Sequence, residues 1–393
     1  MKVAVIHYWW LSNRGGEAVV ASILKMFPDA DLFIHVCDET LVRETLGSDF
    51  HGRIIPSFIT KLPGAKRFYK AYMPLMPLAL EQWDLSEYDL IISSEAGPAK
   101  GVITRPDALH LCYCHSPMRY IWDLYQPYLR ESGWLIRRIF PLVAHWLRVW
   151  DRSSADRVDR FIANSRFIAA RIAKYYRRNA EVIWPPVDVE AFDHRRERGD
   201  FYLCLGQLVR YKRADIAVDA FNRLGLPLVV IGEGELYDDL RKRAGPNVQL
   251  LGRQPFSVVK DHLERCRGLI FPGMEDFGIV PVEAMAAGAP VIAYGRGGVL
   301  DTVIDGETGV LFDQQDVDSL VDAVQRVDQA KSFDPDMLHR HADRFDKRHF
   351  SDRLRSMVRA AIDAERVQPV QNLPESDTAQ EPSMQSWEEV PTA

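Results

Sequence analysis

The chain has few cysteines, little excess charge and no long hydrophobic run, and each shortage excludes something. Its five cysteines (Cys37, Cys112, Cys114, Cys204 and Cys266) are sparse and odd in number over 393 residues. That excludes the dense disulfide framework of a small secreted domain. Cys112 and Cys114 alternate along a probable strand and face the same side, but such a pair without neighbouring cysteines is weak evidence for metal. Buried thiols in a reducing cytosol are the expectation. The formal net charge is −6, so bulk electrostatics give no attraction to nucleic acid. No run of about eighteen apolar residues is present, so no transmembrane helix is expected. Met1 to Ile6 reads as a strand, and Trp9, Trp10 and the polar residues beside them cut the run too short for a signal peptide. No repeat of the solenoid kind is visible.

What is present is a globular composition, 47% hydrophobic and 26% charged, at a length comfortable for two domains. Short apolar runs alternate with helical patterns in two series. The first runs through 3–7, 32–36, 90–93, 109–115 and 161–164. The second runs through 201–205, 228–231, 248–251, 269–271, 291–293 and 310–312. Strands interleaved with helices imply parallel sheets covered on both faces. The expected fold class is α/β, with two doubly wound domains facing a cleft and ligands at the carboxyl ends of the strands. Trp184-Pro185-Pro186-Val187-Asp188 marks the joint, because consecutive prolines continue neither a helix nor a central strand. The expected organisation is an N-terminal domain over 1–184 and a C-terminal domain over 185–349. A helix over 350–366 follows, a candidate to pack back on the first domain. A tail over 367–393, rich in Pro, Ser, Gln and Glu, reads as disordered.

The stretch from Glu275 to Glu283 carries most of the chemistry. A strand precedes it, an apolar run over 282–289 follows as a helix, and Gly288 to Ala293 reads as helix stop, turn and next strand. The spacing puts one acid on the loop before a helix and the other about one turn inside it. A helix start leaves about four N–H groups unpaired and carries partial positive charge. A diphosphate can rest there, with a hydroxyl-rich group held at each side. Two glutamates eight apart also arise by chance, and the flanking strand–loop–helix pattern is what raises this pair above that alternative.

Several further motifs join it. Gly15-Gly16 follows the first strand, His115 lies in Cys114-His115-Ser116-Pro117, and Asn164-Ser165 closes the first half. Gly206-Gln207-Leu208-Val209-Arg210-Tyr211-Lys212-Arg213 and Gly232-Glu233-Gly234 open the second. Over about residues 1–350 this combination resembles the family-4 retaining glycosyltransferases of GT-B fold, which have two Rossmann-like domains facing a cleft. Tyr113 to Asp123 and Glu275 to Ala284 look more narrowly like O-antigen and exopolysaccharide mannosyltransferases, which use GDP-mannose and a polyprenyl-diphosphate-linked glycan acceptor. The resemblance implies acceptor binding by the N-terminal domain and nucleotide-sugar binding by the C-terminal one.

Glycosyl transfer requires the leaving diphosphate to be neutralised while positive charge develops on the sugar. Lys212 is the first candidate for the diphosphate and Arg210 the second; they lie two apart after a strand end, so both are expected to reach one cleft. A solvated basic loop is the alternative. Members of the family often carry Arg at the position of Gln207, so Arg210 is a candidate substitute. The resemblance assigns Glu283 to the nucleotide ribose, Glu275 to donor-sugar hydroxyls, and the amides of Phe277, Gly278, Ile279 and Val280 to the sugar and phosphates. Asp276 is read as a helix N-cap. Gly15 and Gly16 let backbone approach a phosphate or the acceptor before a helix beginning near Glu17, unless they form a simple flexible turn. The resemblance makes His115 a donor-sugar contact whose carbonyl or ring faces the developing charge; a structural histidine at a strand end is the alternative. The resemblance also makes Gly206 donor-binding and places Gly252-Arg253 near the base, through backbone more than the Arg253 side chain. No covalent nucleophile stands out. The leaving phosphate can deprotonate the acceptor on the same face, or a carboxylate on the opposite face can form a covalent intermediate; both routes stay open. Neither a metal nor another cofactor is expected. Asp29-Ala30-Asp31 and Asp334-Pro335-Asp336 have a metal-like spacing but remote settings.

From Gly52 to Leu80 there are five basic residues (Arg53, Lys61, Lys66, Arg67, Lys70) and no acid, with Phe58, Phe68, Tyr69 and Tyr72 interleaved. The segment 134–150 adds Trp134, Arg137, Arg138, Phe140, Trp146, Arg148 and Trp150. Such surfaces suit anionic lipid headgroups. The expected location is cytoplasmic, peripheral at the inner face of the cell membrane. A UDP-sugar donor on the same fold is the nearer rival; a non-catalytic membrane-associated scaffold is the rival of a different class.

Overall fold

The computed structural model describes residues 1–13, 15–329 and 333–367. Val-, Ile- and Leu-rich runs become two parallel sheets. The first contains β1 (Val3–Trp10), β2 (Asp31–Cys37), β3 (Ile54–Pro56), β4 (Leu90–Glu95), β5 (Leu109–Cys114), β6 (Arg160–Ala163) and β7 (Ala180–Val182), in the order β3-β2-β1-β4-β5-β6-β7. The second contains β8 (Tyr202–Leu205), β9 (Leu228–Ile231), β10 (Val248–Gly252), β11 (Gly268–Phe271), β12 (Val291–Tyr294) and β13 (Gly309–Phe312), in the order β10-β9-β8-β11-β12-β13. Parallel strands connected through helices are covered on both faces, which is why they read as continuous apolar runs. In the second sheet, Leu203, Val229, Leu269 and Val291 pack into one core. Their chain neighbours Tyr202, Cys204, Val230, Ile270 and Ile292 pack into another, as a side-chain period of two requires.

All eleven apolar runs appear as strands, and two strands escape the sequence pattern. β3 and β7 are three-residue edge strands. One ends in Pro56, which an edge tolerates, and the other centres on the polar Glu181. Neither forms an apolar run.

The prolines at 185–186 lie between the sheets, and Val187 bridges to Asp346 near the end of the second half. The last helix is Lys347–Val367. Its Phe350 ring lies 5.8 Å from that of Tyr113 in β5, so the chain returns to the first sheet at this point. The residues from Arg355 form a second unit, and within it the helix continues unbroken to Val367. Beyond Val367, the tail expected from the sequence lies outside the described residues. Among the described residues no helix is long and apolar enough to cross a membrane.

Candidate functional site

Strand order reverses between β1 and β4 in one sheet and between β8 and β11 in the other. Loops leaving the carboxyl ends of strands at such points are where ligands bind in doubly wound folds. Here loops from both sheets line one cavity of about 760 Å³. The first half contributes Gly15, Gly16, His115, Arg119 and Asn164; the second contributes Tyr211, Lys212, the unbroken run 275–280, and Glu283.

The loop after β8 makes a tight turn over Arg210–Lys212 that sends its basic side chains in different directions. Lys212 turns inward and its Nζ lies 2.8 Å from Glu275 Oε1. Burial weakens its hold on the proton, but the Glu275 charge outweighs that and keeps the ammonium above its usual range. Gly273 permits this packing, since a Cβ there would come within 2.7 Å of the Lys212 Cα. Gly206 has φ +146° and sits beside Lys212, in a small recess shared with Glu275.

The helix Ile279–Ala286 starts at Gly278, whose φ of 97° is the left-handed conformation that glycine adopts without strain. Its unpaired first-turn amides fall among the residues facing the cavity. Glu283, one turn in, is half-buried and makes no side-chain hydrogen bond or ion pair among the described residues. Burial alone pushes its carboxyl up to about 7. A carboxylate held this way is ready to accept hydrogen bonds from hydroxyls.

His115 follows β5, and its Nε2 is hydrogen-bonded to Ser94 Oγ at 2.8 Å. Ser94 is in turn hydrogen-bonded to buried His7 Nδ1 at 3.2 Å. Burial pulls His115 down to about 4, so the imidazole is neutral at physiological pH.

Four readings from the sequence are corrected. Arg210 does not reach the cavity; it is exposed, with Glu131 and Glu235 at 3.9 and 3.7 Å. Arg213 closes on Asp215, so only Lys212 of this basic stretch faces inward. Arg253 is likewise exposed outside the cavity, 3.6 Å from Glu233. Gly15 and Gly16 are not a flexible turn before a helix. They are the first residues of the helix Gly15–Met26, and a Cβ on Gly15 would come within 2.7 Å of Ile279 Cδ1. Gly15 lets two helix starts meet, and Gly16 packs against the Tyr8 hydroxyl, which a Cβ would approach to 2.8 Å.

Asp276 does not cap its helix. Its Oδ1 lies 3.3 Å from Arg171 Nη1 and 3.7 Å from Arg119 Nη1, both in the first half. Its carbonyl accepts a hydrogen bond from Ser165 Oγ at 2.6 Å. Burial raises this carboxyl against the pull of Arg119 and Arg171. Arg119 and Arg171 carried no sequence signal beyond their motif or helix, because the network joins positions more than a hundred residues apart.

Comparison with known proteins agrees with this fold. The family model described as Glycosyltransferase Family 4 matches residues 13–191, and the one described as Glycosyl transferases group 1 matches 188–340. The two meet at the proline-containing joint. The chain belongs to the family-4 glycosyltransferases. This family-4 chain is 24% identical to the alpha-1,3/1,6-mannosyltransferase alg2 of Schizosaccharomyces pombe over 57% of the chain and 52% of the relative. It is 32% identical to the GDP-mannose-dependent alpha-(1-6)-phosphatidylinositol monomannoside mannosyltransferase of Mycolicibacterium smegmatis over 41% of the chain and 50% of the relative. The chain thus spans about half the length of these curated relatives. Its fold matches that of Anabaena Alr3699/HepE, crystallised with UDP, with TM-score 0.65 and 16% identity over 92% of this chain and 100% of the other. Sucrose-phosphate synthase of Thermosynechococcus elongatus matches with TM-score 0.64 and 17% identity over 93% and 100%. The architecture is GT-B.

Proposed function

We propose that this family-4 protein is a retaining hexosyltransferase that moves mannose from GDP-mannose to a lipid-linked oligosaccharide acceptor in surface polysaccharide synthesis. The observation that carries the reading is the Lys212–Glu275 pair beside a glycine-started helix, with the unpartnered Glu283 one turn in. Lys212 and the helix start supply positive charge for a diphosphate. Glu275 accepts from sugar hydroxyls, Glu283 from the ribose, and His115 meets the sugar from the first half. The names of the mannosyltransferase relatives favour mannose and, for the mycobacterial one, GDP-mannose. The UDP found in the Anabaena structure favours the second reading, a UDP-sugar donor on the same scaffold.

Four carboxylates line the cavity: Asp188, Glu275, Asp276 and Glu283. The first three are paired with Lys347, Lys212 and the two arginines. Glu283 serves the ribose. That distribution supports the same-face route. The anomeric C–O bond breaks with its electron pair passing to the diphosphate, the acceptor oxygen bonds to the anomeric carbon, and its proton passes to a phosphate oxygen. Lys212 and the helix start neutralise the charge in this scheme, so a chelator should leave turnover unchanged.

The helix Trp134–Ser154 supports contact with an anionic membrane at the inner face. Its Leu147 and Trp150 enter the core, whereas Leu135, Ile139, Leu142, Trp146 and Val149 remain exposed. Spaced three and four apart, these five form one outward stripe. Arg137 and Arg138 are exposed on the same helix, and residues 132–150 contain no acid.

A thermal-shift panel tests the donor. A ligand that binds only the folded state raises the melting temperature. GDP and GDP-mannose are expected to raise it clearly. A shift with UDP or UDP-glucose alone would replace the donor.

A further inference from the structure

We infer that Arg119 is the second phosphate-binding cation of this site, carried by the first half onto the diphosphate that Lys212 holds from the second. The inference rests on the transferase reading above and names a residue that reading does not use. Arg119 lies in the loop after β5 and lines the cavity together with Tyr211, Lys212 and Glu275. Its guanidinium sits over the Tyr211 ring, 5.4 Å from the centroid. Apart from Lys212, the cations lining the cavity are Lys25, Lys347 and Arg119, and Lys347 is already bound to Asp188 at 2.8 Å.

The state of its donors sets Arg119 apart. The side chain is only 14% exposed, yet its nearest carboxylate oxygens are 3.7 Å away on Asp276 and 3.8 Å away on Asp123. Both are beyond hydrogen-bond distance. Its Nε is fully buried without a hydrogen-bond partner among the described residues, as is that of Arg171, so the difference lies in the Nη groups. Arg171 faces the same two acids and is the natural comparison. It donates to Ser116 Oγ at 2.7 Å, to Pro117 O and Asp276 Oδ1 at 3.3 Å, and to Asp123. Arg171 spends both Nη groups on the fold, whereas neither Nη of Arg119 makes a hydrogen bond among the described residues. Burial opposes the Arg119 charge, but Asp276 and Asp123 more than restore it.

A buried guanidinium with unspent donors is costly unless a ligand meets it. The partner that fits is a planar-fork acceptor of negative charge, and a phosphoryl group supplies two such oxygens. As the anomeric bond breaks, the electron pair moves onto the leaving diphosphate and Arg119 donates to its non-bridging oxygens. Because Arg119 comes from the first half, the diphosphate is gripped by both halves at once.

The test compares wild type, Arg119→Gln, Arg119→Lys and Arg171→Gln by calorimetric binding of GDP, UDP, GMP and UMP, with melting temperatures and turnover alongside. Arg119→Gln should weaken binding of whichever diphosphate the wild type prefers about 10- to 100-fold and its monophosphate less than about 3-fold. Its unliganded melting temperature should not fall, its kcat should fall with saturating donor, and Arg119→Lys should recover part of the loss. Arg171→Gln should melt earlier. Equal loss for mono- and diphosphate, no loss for either, or an unliganded Arg119→Gln as destabilised as Arg171→Gln would overturn the assignment. So would an effect confined to the KM for a lipid-diphosphate acceptor. If wild type binds none of the four nucleotides, the transferase reading itself falls, and this inference with it.

Discussion

Two titratable residues of the cavity, Glu283 and His115, are pushed by burial in opposite directions and make different predictions. Burial lifts Glu283 to about 7 from an ordinary 4.5. The folded protein therefore holds a proton that the unfolded chain releases, so this residue makes stability fall as pH rises from about 4.5 to 7 and keeps it lowered above that. Glu283→Gln should match wild type in urea unfolding near pH 4 and exceed it at pH 8 by on the order of 2 kcal/mol. The proposed ribose contact is strongest with the ionised form, so wild-type nucleotide affinity should climb through pH 7. The variant should bind weakly and with a flat profile. A wild-type profile equally flat from pH 6 to 8 would remove Glu283 from the ribose. His115, held near 4, should contribute no titration in that range. At this scale the sequence was legible where a motif carries its own geometry: Lys212, Glu275, Gly278 and Glu283 all line the cavity. It was illegible where direction depends on a turn. Arg210 and Lys212 are two apart, and a single 3-10 turn separates their fates.

The element that organises the first half is a buried ionic cluster. Lys100, Glu95 and Asp151 are completely buried, with Lys100 Nζ 2.8 Å from Glu95 and also bonded to Asp151. Glu95 ends β4, while Asp151 lies on the helix Trp134–Ser154 and accepts hydrogen bonds from Trp122 Nε1 and Tyr176 Oη. The cluster therefore fastens the proposed membrane-facing helix to the sheet and anchors the loop that carries His115 and Arg119. Lys100→Met should cost about 3–5 kcal/mol in denaturant unfolding, because it leaves two buried acids without a cation. Adding Glu95→Gln should return part of it; no cost in the single variant would make the cluster incidental. The motif Tyr113 to Asp123 reads in the sequence as one recognisable unit, and the structure divides its labour. Tyr113 bonds Ile183 O, Ser116 and Asp123 serve Arg171, and Trp122 serves Asp151. Only His115 and Arg119 of these positions combine a polar side chain with a place on the cavity wall. Motif recognition alone gives no means of separating braces from working groups, since both recur together.

For the whole molecule, the alternation of strand and helix patterns exposed both sheets, because parallel strands buried on two faces advertise themselves as apolar runs. The contacts that draw the two halves together, Asp276 with Arg171 and Arg166 Nε with Asp301 at 3.1 Å, had no local signature. The membrane reading also belongs at this scale. Leu142→Glu combined with Trp146→Glu should abolish co-sedimentation with vesicles of anionic phospholipid while leaving donor binding intact. Equal recovery of wild type and variant would detach that helix from lipid. The central claim is that the cleft transfers a sugar by neutralising its leaving diphosphate with Lys212. Its most direct test is transfer of labelled mannose from GDP-mannose to a lipid-diphosphate glycan by wild type and Lys212→Ala at saturating substrate. The expected result is a kcat at least about 100-fold lower in the variant, with its fold intact. A variant that turns over as fast as wild type would contradict the account.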